Sequence, residues 1–336
     1  MGEKVTEAIL SAIVVSPGRC EAVAALMRRL QAQTICDRIE IVLVTPDMTE
    51  HEADAALLKG FATWTAAPVD RVASMSEARA VGVRAAGCPY VVFTEDHCFP
   101  EAEWADAIVD AFERHAADAV GPVFLNANPQ FALSWSLFVQ EYGDWMAPHA
   151  GGLMEHLPGN NSAYRREQLL ALGGNLAAGI EGESALHFAW RAQGRRLWLE
   201  PRARVHHVNI TNAWAALTST CAFQRLWANS RARTWSWSRR LAYALASPLI
   251  PVVRLPRILA ALRRTGQVRT MLLRVLPWLS VSLAVSAFGE FLGYLGSTGD
   301  ARNRLVEVEL YRRRYLRDVV REDAWSDGAA GRRRGA

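Results

Sequence analysis

Apolar and polar positions along the first half of the chain alternate between two periods. Residues 9–15 (ILSAIVV) form a short apolar run rich in β-branched side chains and broken by Ser16-Pro17-Gly18. Over 20–33, Val23, Leu26, Met27 and Leu30 then recur at helical spacing. Residues 39–44 (IEIVLV) read as a second strand closed by Thr45-Pro46-Asp47, and a helix is expected over about 50–62. A polar segment carrying Arg79 leads to a strand at 90–93 (YVVF), a helix over about 101–115 and a strand at 119–125 (AVGPVFL). Alternating strands and helices predict an α/β fold with a mostly parallel sheet flanked by helices on both faces. No G-x-G-x-x-G and no Walker loop is present, so the usual dinucleotide and ATP fingerprints are missing.

In such sheets a ligand crevice lies beyond the carboxyl ends of the strands. Glu95-Asp96-His97 stands there, two residues past YVVF. Two acids and an imidazole can bind a divalent cation through oxygen and nitrogen, a set suited to Mn2+ or Mg2+ holding a diphosphate. The plainer reading is that the acids cap a helix starting near Pro100, whose first turn carries Glu101 and Glu103. A second polar stretch runs from Pro158-Gly159-Asn160-Asn161-Ser162 through Arg165-Arg166 and Gly173-Gly174 to Gly179-Ile180-Glu181-Gly182-Glu183. Glu183 opens a helix with Leu186, Ala189 and Trp190 on one face and a stop at Gly194. At that N-terminus a carboxylate can act as a general base or simply cap the helix. Arg195 to Leu199 resembles a strand, followed by Pro201 and the pair His206-His207, which are either structural or ligands.

Composition narrows the setting. With 336 residues, 51% hydrophobic and 21% charged, the chain is long and apolar enough to fold around a full core. Five cysteines (Cys20, Cys36, Cys88, Cys98, Cys221) lie scattered without a C-x-x-C pair, which argues against a zinc ribbon or a disulfide framework and for a reducing, cytosolic setting. The N-terminus places acids before its apolar stretch and lacks a basic region, so that stretch reads as a first strand and not as a signal peptide.

The order of these features resembles the family 2 glycosyltransferases with the GT-A fold, over roughly residues 9–210. AIVVSPGRCEAVAALMRRLQAQT is similar to that family's first strand and helix, ending at Gln33-Thr34, and EIVLV to its second strand. In SEARAVGVRAAGCPYVVFTEDHCFP, Ala78-Arg79 and Gly82 precede the position of the metal-binding acidic motif. GNNSAYRREQLLALGG resembles the acceptor-side segment, and GESALHFAWRAQGRRLWLEPRARVHH the stretch from the catalytic acid pair to a late histidine. The sequence also departs from the pattern. The usual Asp-x-Asp is Glu95-Asp96-His97, the acid expected after the second strand is Thr45 with Asp47 two positions on, and the first member of the acid pair is Gly182.

The resemblance implies an inverting, hexosyltransferase-like, metal-dependent transfer from a nucleotide-diphosphate sugar. Glu183 would be the catalytic base. Ser16, Arg19, Thr45, Asp47, Arg79, Glu95, Asp96, Asn160 and Arg165 would hold the nucleotide sugar, and Arg79 or Arg165 would offset charge on the departing diphosphate. Asp96, His97 and His207 would hold the metal, with the imidazoles favouring Mn2+ over Mg2+. Two other readings stay open: a catalytically inactive relative serving as a binding or assembly subunit, and a nucleotidyltransferase, for which SPGRCEA is a poor phosphate loop.

The net charge of +4 conceals an uneven distribution. Between Pro201 and Gly289 there is no acid, while Arg202, Arg204, Arg225, Arg231, Arg233, Arg239, Arg240, Arg254, Arg257, Arg263, Arg264, Arg269 and Arg274 fall there beside Trp214, Trp227, Trp235 and Trp237. Tryptophan with arginine suits a helix lying among anionic lipid headgroups, and the long apolar runs between the arginines fit nucleic acid poorly. Residues 241–253 are apolar but interrupted by Pro248 and Pro251, which suits a kinked or re-entrant segment. Residues 275–296 are long enough to cross a bilayer, with a buried helix as the alternative, given Glu290. The expected organisation is a catalytic domain over 1–212, a membrane-associated helical region over 213–299, and a charged helix with a disordered tail over 300–336. The expected acceptor is lipid-linked or an envelope glycan, reached from the cytoplasmic face of the cell membrane.

Overall fold

The computed structural model describes residues 7–18, 20–47, 55–266, 268–318 and 320. In chain order the first half carries β1 (Leu10–Val15), α1 (Cys20–Gln31), β2 (Ile39–Thr45), β3 (Thr63–Pro68), α2 (Met75–Ala85), β4 (Tyr90–Phe93), β5 (Cys98–Pro100), α3 (Trp104–Arg114) and β6 (Ala119–Asn126). It continues through α4 (Ala132–Glu141), β7 (Gly152–Leu153), β8 (Ala163–Arg165), α5 (Arg166–Leu170), α6 (Leu176–Glu181), α7 (Glu183–Ala192) and β9 (Leu197–His207). The remainder is helical: α8 (Ala213–Arg231), α9 (Trp237–Ala246), α10 (Ile250–Arg264), α11 (Val268–Tyr294) and α12 (Ala301–Leu310). Two compact units emerge, Met1–Leu125 with His149–His207, and Asn126–Pro148 with Val208–Ala336.

The first unit holds the sheet, in the order β3-β2-β1-β4-β8-β6-β9-β5, with β7 also on β9. The four strands β3, β2, β1 and β4 are mutually parallel, and β8 joins β4 and β6 antiparallel. Every residue of β1, β2 and β4 is buried, as strands covered on both faces must be. This is the α/β fold that the alternation predicts. The buried Glu40 on β2 accepts from Ser11 Oγ (2.5 Å), Gly87 N (2.8 Å) and Thr65 Oγ1 (2.9 Å), which satisfies the one carboxylate between the central strands. Gly82 brings α2 down onto the sheet, since a Cβ there would overlap the Ile13 and Val44 side chains. Arg79, one turn earlier on the same face, is thereby held close to the end of β4.

Three elements differ from expectation. Of the helix expected over 50–62, residues 50–54 lie outside the described set and Ala55–Leu58 is a single 3-10 turn. The strand β3 that follows was not foreseen, because it lies at the edge of the sheet with most side chains in water and carries no apolar run. On α7 the buried side chains are His187 and Trp190, while Ala189, placed on the inner face by spacing, is exposed. The helix does stop at Gly194, whose φ of 82° is left-handed.

The second unit is built from α4 and the C-terminal helices. Helix α11 packs directly on α8: a Cβ on Gly289 would meet Cys221 O and one on Gly293 would meet Arg225 O, so the backbones touch there. Glu290, one position on from Gly289, is buried and paired with Arg254 of α10 at 2.6 Å. Residues 126–148 belong to this unit through α4, whose Ser136 and Gln140 hydrogen-bond Ser282 of α11. As the two prolines predict, the apolar path breaks at a 3-10 turn, Ser247–Leu249, between α9 and α10. The tail segment 328–336 lies outside the described residues.

Candidate functional site

Strands β1, β2 and β4 are parallel, so the loops that follow them open on one edge of the sheet. After β4, Thr94 anchors the turn through Thr94 Oγ1 to Ile13 O (2.8 Å), and Glu95, Asp96 and His97 follow, all buried. The chain then enters β5, and α3 begins only at Trp104 with Glu103 as its cap residue. The acids at 95 and 96 therefore do not cap that helix. Glu95 is the hub of the loop. Its Oε1 accepts from Arg79 (3.2 Å), and its Oε2 from Asn160 Nδ2 (2.8 Å), Asn161 Nδ2 (3.3 Å) and the Cys98 thiol (3.3 Å). Burial alone would raise its pKa, but His97, then Arg79 and His207 outweigh it and hold the carboxyl well below its ordinary range.

The Asp96 Oδ1 lies 2.8 Å from His97 Nδ1, and His97 Nε2 lies 3.4 Å from Glu95 Oε2. A carboxylate on one ring nitrogen orients a histidine so that its other nitrogen meets a ligand. Residues Glu95, His97, Cys98 and His207 each place one donor atom within 4.8 Å of the others, close enough to hold a metal ion. His207 comes to the site because β9 pairs with β5 in the register Cys98↔His207, which sets its ring 5.1 Å from that of His97. Of the expected metal ligands, His97 and His207 are in this group. Asp96 is displaced from it, bound to the far side of His97, and Glu95 and Cys98 take its place. The other member of the late pair, His206, turns to Glu101 at 2.8 Å.

Glu183 stands at the start of α7, within electrostatic reach of Arg79 and Glu95. Its carboxylate rests against Gly159, where a Cβ would collide with Cγ, Cδ and Oε2 of the glutamate. Burial pushes its pKa up to about 7; the Arg79 charge opposes the rise and the Glu95 charge adds to it, so the three groups feel one another. Helix α7 is fixed by His187, which sequence reading missed: its Nδ1 accepts from Leu157 N (3.3 Å) and its Nε2 meets the Tyr164 hydroxyl (3.1 Å). Burial, then the neighbouring His156 charge, lowers the His187 pKa to about 3, so the ring is a neutral strut. Its periodicity on α7 was the available signal, since 187 and 190 share a face.

The remaining expected contacts divide. Arg79 and Asn160 converge on Glu95, and the same Arg79 Nη2 that reaches Glu95 also donates to Asn160 O (3.4 Å). The Arg79 Nε is buried and has no hydrogen-bond partner among the described residues, leaving a donor that a phosphate oxygen would satisfy. Ser16 and Thr45 are buried at the ends of β1 and β2 on the same edge, and Thr45 Oγ1 bonds the backbone of the exposed Asp47. Arg19 lies outside the described residues. Arg165 is a correction. It pairs with Tyr90 at the opposite, amino end of β4, donates to Ala117 O (2.9 Å) and stacks over Tyr90 and Phe112. Arg166 lies at the same end, donating to Val83 O (3.0 Å) and Arg84 O (3.1 Å), so neither arginine of the run reaches the ligand edge.

By sequence, the chain matches no protein-family profile and no curated protein is significantly similar to it. By structure it is similar to GalNAc-T7 solved with UDP, GalNAc and Mn2+ (17% identity, TM-score 0.43), matching over 60% of this chain and 43% of that one. The chain thus spans less than half the length of that protein. It is similar to S. aureus TarS 1-349 in complex with UDP, at 14% identity and a TM-score of 0.46 over 91% of each chain. The mannosyltransferase PcManGT from Pyrobaculum calidifontis, solved with GDP-Man and Mn2+, is similar at 14% identity and a TM-score of 0.45, over 92% of this chain and 88% of that one.

Proposed function

We propose that this protein is a GT-A-type glycosyltransferase of the family 2 kind, transferring a sugar with inversion from a nucleotide-diphosphate sugar. The observation that carries the reading is Glu183: a carboxylate with its pKa at about 7, beside a buried cluster of Glu95, His97 and His207 on the ligand edge of the sheet. A base must lose its proton near working pH, and this environment tunes an ordinary glutamate to do so. Glu183 takes the proton of an acceptor hydroxyl as that oxygen attacks the anomeric carbon, and Arg79 offers its spare N–H to the departing diphosphate. Ser16, Thr45 and Asp47 line the nucleotide end, while Asn160 and Asn161 fix Glu95. The donor set fits a divalent ion: Glu95, His97 and His207 would hold it, oriented by Asp96, and mixed oxygen and nitrogen ligands favour Mn2+ over Mg2+. Once bound, such an ion supplies charge neutralisation for the diphosphate.

The pH dependence follows in sign. The raised pKa leaves Glu183 protonated and idle below about 7, so kcat/KM for transfer should rise with pH through about 7 and level off above it. Initial rates across that range at saturating cation test this; a flat profile would remove Glu183 from the base role.

We place the acceptor at a membrane. Trp237–Arg264 and Met271–Tyr294 are long and apolar enough to cross one by length and composition. Leu245, Val252, Val253 and Leu273 are nonetheless more than two-thirds exposed, on helices that also carry Arg239, Arg240, Arg257 and Arg263. Exposed aliphatic side chains among arginines suit insertion into one leaflet with guanidinium groups on anionic headgroups. Cation–π stacks of Arg239 on Trp235 (4.2 Å) and Arg231 on Trp227 (5.2 Å) belong to the same headgroup layer. The acceptor is then lipid-linked or an envelope glycan, met at the cytoplasmic face. Full-length protein should stay with membranes through a high-salt wash and leave only with detergent. Recovery in the salt wash would refute stable insertion.

A further inference from the structure

We propose that Cys98 is a further ligand of the metal, bound as a thiolate, and that this carboxylate–bis-imidazole–thiolate set moves the preference of the site from Mn2+ toward zinc-class ions. This deepens the metal-assisted reading above and rests on it. Cys98 is fully buried, and its Sγ stands with the Glu95, His97 and His207 donors inside a sphere of mutual distances no longer than 4.8 Å. The backbone builds this arrangement. Cys98 and His207 are directly paired across β5 and β9, so their side chains leave the sheet on the same face, while His97 precedes Cys98 in the chain.

The sulfur also has the surroundings of a ligand. Its S–H points to Glu95 Oε2 at 3.3 Å, and Asn161 Nδ2 donates to the sulfur at 3.3 Å. A hydrogen-bond donor on sulfur stabilises the charge of a thiolate, and the same amide donates to Glu95. On coordination the metal–sulfur bond replaces the S–H bond and the proton leaves to solvent. One oxygen, two nitrogens and one sulfur are donors of the kinds zinc accepts, whereas Mg2+ wants oxygen ligands. Of the other cysteines whose side chains are described, none takes part: Cys88 lies at the amino end of β4, and Cys36 and Cys221 are outside the donor group.

The test uses the full-length chain in detergent, loaded with Co2+ or Zn2+ alone. With Co2+, a thiolate-to-metal charge-transfer band should appear in the near ultraviolet with one equivalent bound, and vanish in Cys98→Ser. That variant should still fold, with Zn2+ affinity lowered at least about tenfold, the loss that even an outer partner causes. X-ray absorption of the Zn2+-loaded wild type needs no variant, and should show one scatterer at the sulfur distance of about 2.3 Å beside lighter ones at about 2.0–2.1 Å. Stoichiometric binding without sulfur in the shell, or a sulfur shell that survives in folded Cys98→Ser, would overturn the thiolate while leaving the metal site standing. Absence of any Co2+ or Zn2+ binding would overturn both.

Discussion

Glu183→Gln is expected to lower the rate of sugar transfer by about 10²–10⁴-fold, the usual contribution of a positioned base, while donor-nucleotide affinity stays within about twofold. The amide keeps the shape of the carboxylate against Gly159 and removes only the ability to accept a proton. Nucleotide binding should be insensitive because Arg79, Glu95 and the residues at the ends of β1 and β2 are untouched. Rates with a panel of nucleotide sugars in Mn2+ and Mg2+, alongside calorimetric titration of the nucleoside diphosphate, give both numbers. Full activity in the variant removes the assignment. Nucleotide binding without turnover of any donor, in the unaltered protein, would instead favour the inactive binding subunit.

The second large effect is expected from Glu95→Ala, and it appears in stability as well as activity. Arg79, Asn160, Asn161 and Cys98 all donate to this carboxylate, and its removal strands the Arg79 guanidinium in a buried site. Breaking a buried pair by deleting one partner costs about 3–5 kcal/mol. Chemical denaturation of the variant should show a loss of that order, and cation-dependent nucleotide binding should disappear with the ligand and its scaffold. A variant as stable as the parent would mean that the Arg79–Glu95 pair is not a structural element of the loop. Glu95→Gln separates the two roles, because it preserves the volume and some of the hydrogen bonds while losing the charge.

Much of the parallel half of the sheet was legible because β1, β2 and β4 are covered on both faces, and continuous apolar runs are what such strands require. β3 was not, since an edge strand with Thr63, Trp64 and Pro68 exposed shows no apolar run. β9 was read as a short strand ending near Leu199, yet it runs to His207 through Pro201, with its burial alternating along an antiparallel pairing. The same strand explains the gap in the candidate site. Glu95, His97 and Glu183 could be picked out by their positions next to strand and helix ends. Cys98 carried no signal as a lone cysteine; only the pairing of β5 with β9, joining residues more than a hundred positions apart, makes it a neighbour of His207. Asp96 and His97 read alike as ligands in a line of sequence, but a loop that buries both can aim only one of them at the donor group and turns the other into its support. Residues 126–148 likewise offered no boundary, because α4 is apolar along most of its length and its sequence does not say which unit it packs on.

The contact between Gly159 and Glu183 has a consequence for descent. Two positions 24 apart in the chain share one small volume, so neither can drift alone: a side chain at 159 must evict the glutamate, and a shorter acid at 183 opens room that alanine can fill. Among relatives of this protein the pair should therefore be inherited as glycine with glutamate or as alanine with aspartate, and the mixed state, alanine with glutamate, should be found only where transfer activity has been lost.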